Sequence, residues 1–149
     1  MRLLFRTVGM MGGMTFSIQL VPLELGPDYE RLGVITIGDF TERFACRPVF
    51  VRSSLAQVER QWRTELKSLL AGEPAVVLAH DPRFAWVFYR DGQVCHIQQR
   101  FFLDGVPVGS NLHTDRDRVP PRCVVTDDGE RVSEWSTSME AIEQFLNSI

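Results

Sequence analysis

Alternating hydrophobic and polar residues predict β-strands in the first third of the chain. In residues 16–20 every second side chain is hydrophobic, which is the pattern of a strand with one buried face. Residues 32–37 are rich in β-branched side chains, and residues 40–51 resume an extended pattern. Gly38-Asp39 separates these two runs and predicts a turn, because glycine and aspartate both favour turn conformations.

The middle of the chain predicts three further strands and a long loop. Residues 75–79 are short and wholly apolar, which is typical of a central strand. Residues 84–90 and 93–103 are separated by Asp91-Gly92, a strong hairpin signal. Residues 105–122 contain repeated proline, glycine and charged residues, and this composition predicts a loop.

Two segments have the periodicity of amphipathic helices. From residue 55 to residue 70 large apolar side chains recur every three or four positions, and Gly72 follows as a C-terminal cap. A second stripe covers residues 142–149 at the end of the chain. Thr137 and Glu140 have the spacing of a capping box for this terminal helix.

The order of these elements predicts an α+β fold. We expect a single domain with a mostly antiparallel sheet of about five or six strands and two main helices packed on one face. Residues 14–149 are assigned to this domain, a normal length for a single folding unit. Residues 1–13 have an apolar run interrupted by Arg6, unlike a secretory signal, and are expected to be a non-native or disordered extension.

The charge balance fits an ordinary solvated surface or a basic partner better than it fits a nucleic-acid partner. The net charge is −3. Two of the 16 basic residues and none of the 19 acidic ones lie in residues 1–13, which leaves 14 against 19, or −5, in residues 14–149. Phosphate recognition requires a basic face, so direct nucleic-acid binding is not expected. Membrane insertion is not expected either, because the sequence has no run of 18 apolar residues.

The sequence contains no convincing catalytic motif, and no catalytic residue, metal ligand or cofactor is predicted. The three cysteines are far apart and lack a CxxC spacing, so we expect reduced thiols in a cytoplasmic protein. Cys95 and His96 are adjacent and would point to opposite faces of a strand, which argues against a metal site. An enzyme that uses His96 or His113 with a nearby acid remains an alternative, as does a general protein-binding adaptor.

Four segments in a fixed order resemble a known family. They are IGDFTERF (37–44), QVERQWRTELKSLLAG (57–72), WVFYRDGQVCHIQQRFF (86–102) and DDGERVSEWSTSMEAIEQFL (127–146). This series is similar to the immunity proteins of bacterial contact-dependent growth inhibition systems, and the resemblance extends over residues 16–146. The tracts CRPVFVRSS and DRDRVPPR depart from the family pattern and put the identity of the cognate toxin in doubt.

The resemblance implies a cytoplasmic antidote without enzymatic activity. Such a protein binds the toxic C-terminal domain of a large surface-exposed effector and blocks its active site or the approach of its substrate. Many of these toxins are nucleases with basic substrate clefts, which an acidic inhibitor can occupy as a phosphate mimic.

Toxin contacts cannot be carried over from the family, because each immunity protein is matched to one toxin. The IGDF segment is interpreted as a structural turn, with toxin contact by its acids as the alternative. The candidate contact residues are the acids outside the core pattern, with one aromatic residue and one arginine that hot spots often need: Asp39, Glu42, Tyr89, Asp91, Asp104, Asp115, Arg116, Asp117, Asp127, Asp128, Glu130 and Glu134.

Overall fold

The computed structural model describes five stretches of the chain. They are residues 15–25, 31–47, 55–102, 108–109 and 112–148. The predicted N-terminal extension lies outside these residues. No helix in the described part of the chain is long and apolar enough to cross a membrane.

The N-terminal strands form a three-stranded antiparallel sheet. Its strands are β1 (Phe16–Leu25), β2 (Arg31–Ile37) and β3 (Phe40–Cys46), and they lie in chain order. Gly38 has a φ of +61° in the two-residue turn between β2 and β3. A side chain at this position would be strained, so the predicted turn at Gly38-Asp39 is confirmed.

A second antiparallel sheet has four strands and forms the centre of the molecule. Its strands, again in chain order, are β4 (Ala75–Ala79), β5 (Phe84–Asp91), β6 (Val94–Phe101) and β7 (Glu134–Ser138). The predicted β5–β6 hairpin is confirmed. The sequence pattern missed β7, because five residues with four polar hydroxyl or carboxyl side chains have no strong strand signal.

Three helices complete the described structure. They are α1 (Leu55–Ala71), α2 (Leu112–Asp117) and α3 (Met139–Asn147). The predicted α1 and α3 are confirmed, whereas α2 lies inside the predicted loop 105–122. Six residues are too few for a periodic apolar stripe, so this short helix gives no signal in the sequence.

The N-terminal cap of α3 is one residue later than predicted. The Ala141 N–H donates to Ser138 Oγ over 3.0 Å, so Ser138 is the cap. The prediction that Thr137 caps this helix was wrong. Thr137 is fully buried, and it pairs with Cys95 across β6 and β7. Strand alternation turns the Thr137 side chain toward the core and away from the helix end.

The main hydrophobic core lies between the two sheets and is closed by α1 and α3. The Phe44 ring of β3 lies 6.0 Å from Trp62 of α1 and 5.7 Å from Trp86 of β5, measured between ring centroids. The other face of the four-stranded sheet carries a smaller cluster, in which Phe102 and Val108 lie with Val87 and Tyr89, and Val119 packs against it. The α+β class with two main helices on one face is thereby confirmed.

His80 joins the two sheets at the end of β4. Its Nδ1 donates to the Ala45 carbonyl over 3.0 Å, and Gln99 Nε2 donates to His80 Nε2 over 3.1 Å. The Arg47 N–H donates to the carbonyl of His80 over 2.6 Å. These contacts define a neutral imidazole with its proton on Nδ1, and burial lowers the pKa of His80 below its ordinary value.

Helix α1 places a carboxylate on an outer strand of each sheet. The Leu20 N–H of β1 donates to Glu59 over 2.9 Å, and the Val77 N–H of β4 donates to Glu65 over 3.1 Å. An outer strand presents unpaired backbone groups that can recruit another strand. The two glutamates therefore satisfy backbone donors that would otherwise face solvent or a second chain.

Candidate functional site

Residues 124–132, here called the acidic hairpin, form a small surface hairpin between α2 and β7. Val125 and Arg131 make an isolated antiparallel bridge. The Val132 N–H donates to the Val124 carbonyl over 2.9 Å. The hairpin thus has a defined backbone although it is not part of either sheet.

The tip of the acidic hairpin exposes three carboxylates. The Thr126 N–H donates to the Glu130 carbonyl over 2.8 Å, and Gly129 has a φ of +85° in the turn between them. Asp127, Asp128 and Glu130 are exposed. Within the described part of the chain no ion pair involves their side chains. These charges are therefore available to a partner.

Apolar surface accompanies these acids. Val124 and Val125 are 48% and 49% exposed, and they are among the few large hydrophobic residues that the described structure leaves open to solvent. An open cleft of about 380 Å³ separates the hairpin from β7. Its lining consists of Val124, Arg131, Val132, Ser133, Glu134 and Trp135.

Arg122 and Glu134, here called the Arg122 clamp, fasten the base of the acidic hairpin to β7. Arg122 Nε donates to one carboxylate oxygen of Glu134 over 2.7 Å, and Nη2 donates to the other over 2.6 Å. The bond from Arg122 has the largest effect on the pKa of Glu134 and, together with the bond from Gln98, lowers it below its ordinary value although burial opposes this. The same pair raises the pKa of Arg122.

Gln98 connects this clamp to the interior of the sheet. Its Nε2 donates to Glu134 Oε2 over 2.8 Å and to the Cys123 carbonyl over 2.9 Å. Its Oε1 accepts from Arg100 Nη1 over 2.7 Å. Gln98 is fully buried, so its amide orientation is determined by these three partners.

His96 lies beside the clamp on the same face of β6. Its Nδ1 is 2.8 Å from Ser136 Oγ and 3.7 Å from a carboxylate oxygen of Glu134. Its Nε2 is 3.4 Å from Asp91 Oδ2. The ring connects the β5–β6 turn to β7. His96 is not among the residues that line the cleft beside the acidic hairpin.

The turn with Asp39 and Glu42 lies on the same side of the molecule. Between these two acids, Phe40 stacks on Trp135 of β7 with ring centroids 4.2 Å apart. Asp39 is exposed, whereas Glu42 is partly buried on the core-facing side of β3. Because Trp135 also lines the cleft, the turn and the acidic hairpin border the same surface.

Arg116 and Glu65, here called the Arg116 clamp, occupy the opposite edge of the four-stranded sheet. Arg116 donates to both carboxylate oxygens of Glu65 and, over 3.1 Å, to Ser68 Oγ. Glu73 is a more distant ion partner, with a closest N···O distance of 3.8 Å. The bond to Glu65 raises the pKa of Arg116. The guanidinium thus fastens α2 to α1.

The structure separates the predicted contact residues into three groups. On the β7 side lie Asp39, Glu42, Asp91, Asp127, Asp128, Glu130 and Glu134, and on the β4 side lie Arg116 and the exposed Asp117.

Asp115 is 1% exposed and accepts from the Gly109 N–H over 2.8 Å. Tyr89 is 7% exposed and donates to the Pro120 carbonyl over 2.9 Å. Both are interior residues, so we withdraw the prediction that they contact a toxin. Asp104 lies outside the described residues, as does the side chain of His113.

Two residues of the site escaped the sequence-based prediction. Gln98 occupies a position that alternates with the apolar Cys95 and Ile97, and this alternation assigns it to the other face of β6. Nothing in the sequence indicates that this face is covered or that Gln98 is buried. Arg122 looked like part of a proline-rich loop, and its partner Glu134 follows 12 residues later.

Residues 53–145 match the profile of a known protein family, which is described as the CdiI N-terminal domain. The match covers α1, the four-stranded sheet, the acidic hairpin and most of α3. No curated protein sequence matches the chain significantly.

The fold has a counterpart among solved structures. A chain of the CdiA-CT/CdiI toxin and immunity complex from Enterobacter cloacae superposes with a TM-score of 0.73. The alignment covers 90% of this chain and 97% of that chain, with 21% sequence identity. At this identity the likeness concerns the fold alone.

Proposed function

The chain belongs to the CdiI family of contact-dependent growth inhibition immunity proteins, and from this premise we propose that it neutralises a cognate CdiA-type toxin. It binds the toxic C-terminal domain of a large surface-exposed effector that neighbouring cells deliver, and it does so in the cytoplasm. The observation that carries the proposal is the family match over residues 53–145. The similar fold in a toxin and immunity complex supports it.

The β7 side of the molecule is the proposed toxin-binding surface. The acidic hairpin carries Asp127, Asp128 and Glu130, and Asp91 lies close to its base through His96. Exposed valines and an open cleft adjoin these charges. Interfaces combine a desolvated apolar centre with a charged rim, and this surface offers both within a short distance.

The charge of this surface indicates a basic partner. Carboxylates on a projecting turn attract a cationic cleft over distances of about 10 Å at moderate salt, and this attraction accelerates association. A nuclease has such a cleft, because it binds a polyanionic substrate. We therefore propose that the toxin is a nuclease and that the acidic hairpin occupies the path of the phosphate backbone or the active site itself.

Coexpression with the toxin domain tests the proposed function. The probe is the C-terminal domain encoded by the effector gene directly upstream, expressed alone and together with this chain. Rescue of growth and copurification of the two chains are the expected results. Continued toxicity with a soluble and folded chain would refute the pairing and favour an adaptor role.

A nuclease assay tests the finer part of the proposal. The purified toxin domain is incubated with RNA and with DNA, and this chain is then added at increasing molar ratio. We expect cleavage of one nucleic acid and its complete inhibition near one equivalent. Inhibition of growth without cleavage of either substrate would refute the nuclease assignment while leaving toxin neutralisation in place.

A further inference from the structure

Residues 122 and 123, which lead into the acidic hairpin, are held by one buried and one exposed side chain. Gln98 is fully buried and binds the Cys123 carbonyl, one residue before the hairpin begins. Arg122 binds Glu134 through both carboxylate oxygens. Gln98 of β6 thus binds residue 123, and Glu134 of β7 binds residue 122. Two consecutive residues are therefore attached to two neighbouring strands.

The geometry of these contacts is better defined than a contribution to folding stability alone would require. An exposed arginine–carboxylate pair adds little to folding, because solvent screens its charges and ordering the side chains opposes it. A bidentate pair does, however, define direction, since two parallel hydrogen bonds permit one relative orientation. Gln98 donates to the Glu134 carboxylate from the buried side, and Arg122 donates to it from the solvent side. The two donors together hold the carboxylate in one orientation.

We propose that Gln98 and Arg122 are positioning residues that hold the acidic hairpin in its toxin-binding orientation. This role rests on the proposed function. A hairpin that is already ordered before binding loses less conformational entropy when it meets the toxin, and its complex dissociates more slowly. Gln98 does not itself touch the toxin, because its side chain is enclosed by the sheet and the connection above it.

Arg122 offers a test in which charge and positioning predict opposite results. On an acidic surface that binds a basic partner, removal of a positive charge strengthens the long-range attraction. Electrostatics alone therefore predicts tighter binding for Arg122→Ala and unchanged binding for Arg122→Lys. Positioning predicts weaker binding for both, since alanine has no donors and lysine lacks the planar fork.

The experiment measures toxin binding and hairpin order for each variant. Titration calorimetry and binding kinetics use the inactive toxin domain with Arg122→Ala, Arg122→Lys and Gln98→Leu. Hydrogen exchange follows the Thr126 and Val132 amides, which are bonded across the hairpin, in the free chain. Arg60→Ala, on the exposed surface of α1, is the control for charge removal at a distance.

We expect about tenfold weaker binding for both Arg122 variants, mostly through faster dissociation, and faster exchange of the hairpin amides. Binding that is as tight as in the unaltered chain, with unchanged exchange, would overturn the proposal. If Gln98→Leu fails to fold, the Arg122→Lys result decides alone. Faster dissociation in no variant, together with loss of binding after charge reversal at the hairpin tip, would overturn the positioning role and leave the proposed function intact. Absence of binding by the unaltered chain would refute the proposed function, and normal exchange in the variants would then refute the positioning role as well.

Discussion

The two edges of the four-stranded sheet each carry an arginine–glutamate clamp, and the two clamps differ in burial. In the Arg116 clamp the side chain of Glu65 is 1% exposed and that of Arg116 is 15% exposed. In the Arg122 clamp the corresponding values are 14% for Glu134 and 37% for Arg122. The same pair of residue types therefore closes one edge of the sheet and leaves the other open.

The difference in burial separates a structural role from an interaction role. Glu65 also accepts from the backbone of β4, so the Arg116 clamp covers that outer strand. The Arg122 clamp instead supports a surface turn with exposed acids and exposed valines. An identical chemical pair can thus cover one edge of the sheet and, under the proposed function, hold a toxin-binding turn at the other edge.

Loss of the buried clamp should produce the largest change in stability. Arg116→Ala leaves the carboxylate of Glu65 without its cation in the interior, and we expect the free energy of unfolding to fall by about 3–5 kcal/mol. Arg122→Ala should change it much less, because the remaining carboxylate can be hydrated. Urea denaturation of both variants measures the difference. Equal losses of stability in the two variants would mean that the two edges are not distinct. Recovery of stability in the double variant Glu65→Gln, Arg116→Ala would confirm that the buried charge causes the loss.

Charge reversal at the two edges should separate them by affinity. With Asp127, Asp128 and Glu130 changed to lysine, we expect binding of the toxin domain to weaken by about 100-fold or more. Asp117→Lys introduces an exposed lysine at the β4 edge and should change affinity by no more than about threefold. Calorimetry at about 50 mM and about 300 mM salt checks both, because screening should reduce the first effect. A comparable loss in Asp117→Lys would move the binding surface to the other edge.

Acidification should destabilise the molecule in two separate pH ranges. Burial lowers the pKa of His80, so the unfolded chain binds a proton first, and stability should fall as the pH decreases below about 6.5. The bond from Arg122 lowers the pKa of Glu134. The stability that the Arg122 clamp contributes is therefore present above about pH 4.5 and is lost as the pH falls further. Denaturation curves between about pH 7.5 and about pH 3.5 measure this dependence.

Two variants assign these ranges to the residues. His80→Gln should flatten the dependence above about pH 5.5, and Glu134→Gln should flatten it only below about pH 4.5. An unchanged slope in His80→Gln would assign the upper range to another histidine. The change in the pH dependence of stability is the smallest of the expected effects, because each pH range involves a single titrating group.

The elements that the sequence revealed are those with long periodic signals. Helix α1 has 17 residues, and its stripe places Trp62, Leu66 and Leu69 in the core. The turns at Gly38 and Gly92 also followed from local chemistry, because positive φ angles select glycine. By contrast, β7 and α2 are short and polar, and their conformations depend on the β6 ladder and on Glu65.

The predicted contact residues show where local reasoning stops. Asp115, Arg116 and Asp117 look alike in the sequence as parts of one charged run. The structure buries the first, pairs the second with a glutamate 51 residues away and exposes the third. Tyr89 is similar, because strand alternation assigns it a face but does not reveal that Pro120 covers it.

By itself the sequence determined the α+β class, the positions of the main helix and hairpins, the acidic balance and the family resemblance. The class, the element positions and the acidic balance follow from periodicity, turn preferences and composition, which act between residues that are near in the chain. The resemblance rests instead on the order of four sequence segments. Only the tertiary structure decided which acids are exposed together, which edge of the sheet is closed and which arginine supports the acidic hairpin. Burial and ion pairing depend on side chains that are distant in sequence, and folding alone brings Glu65 to Arg116 and Gln98 to the base of the hairpin.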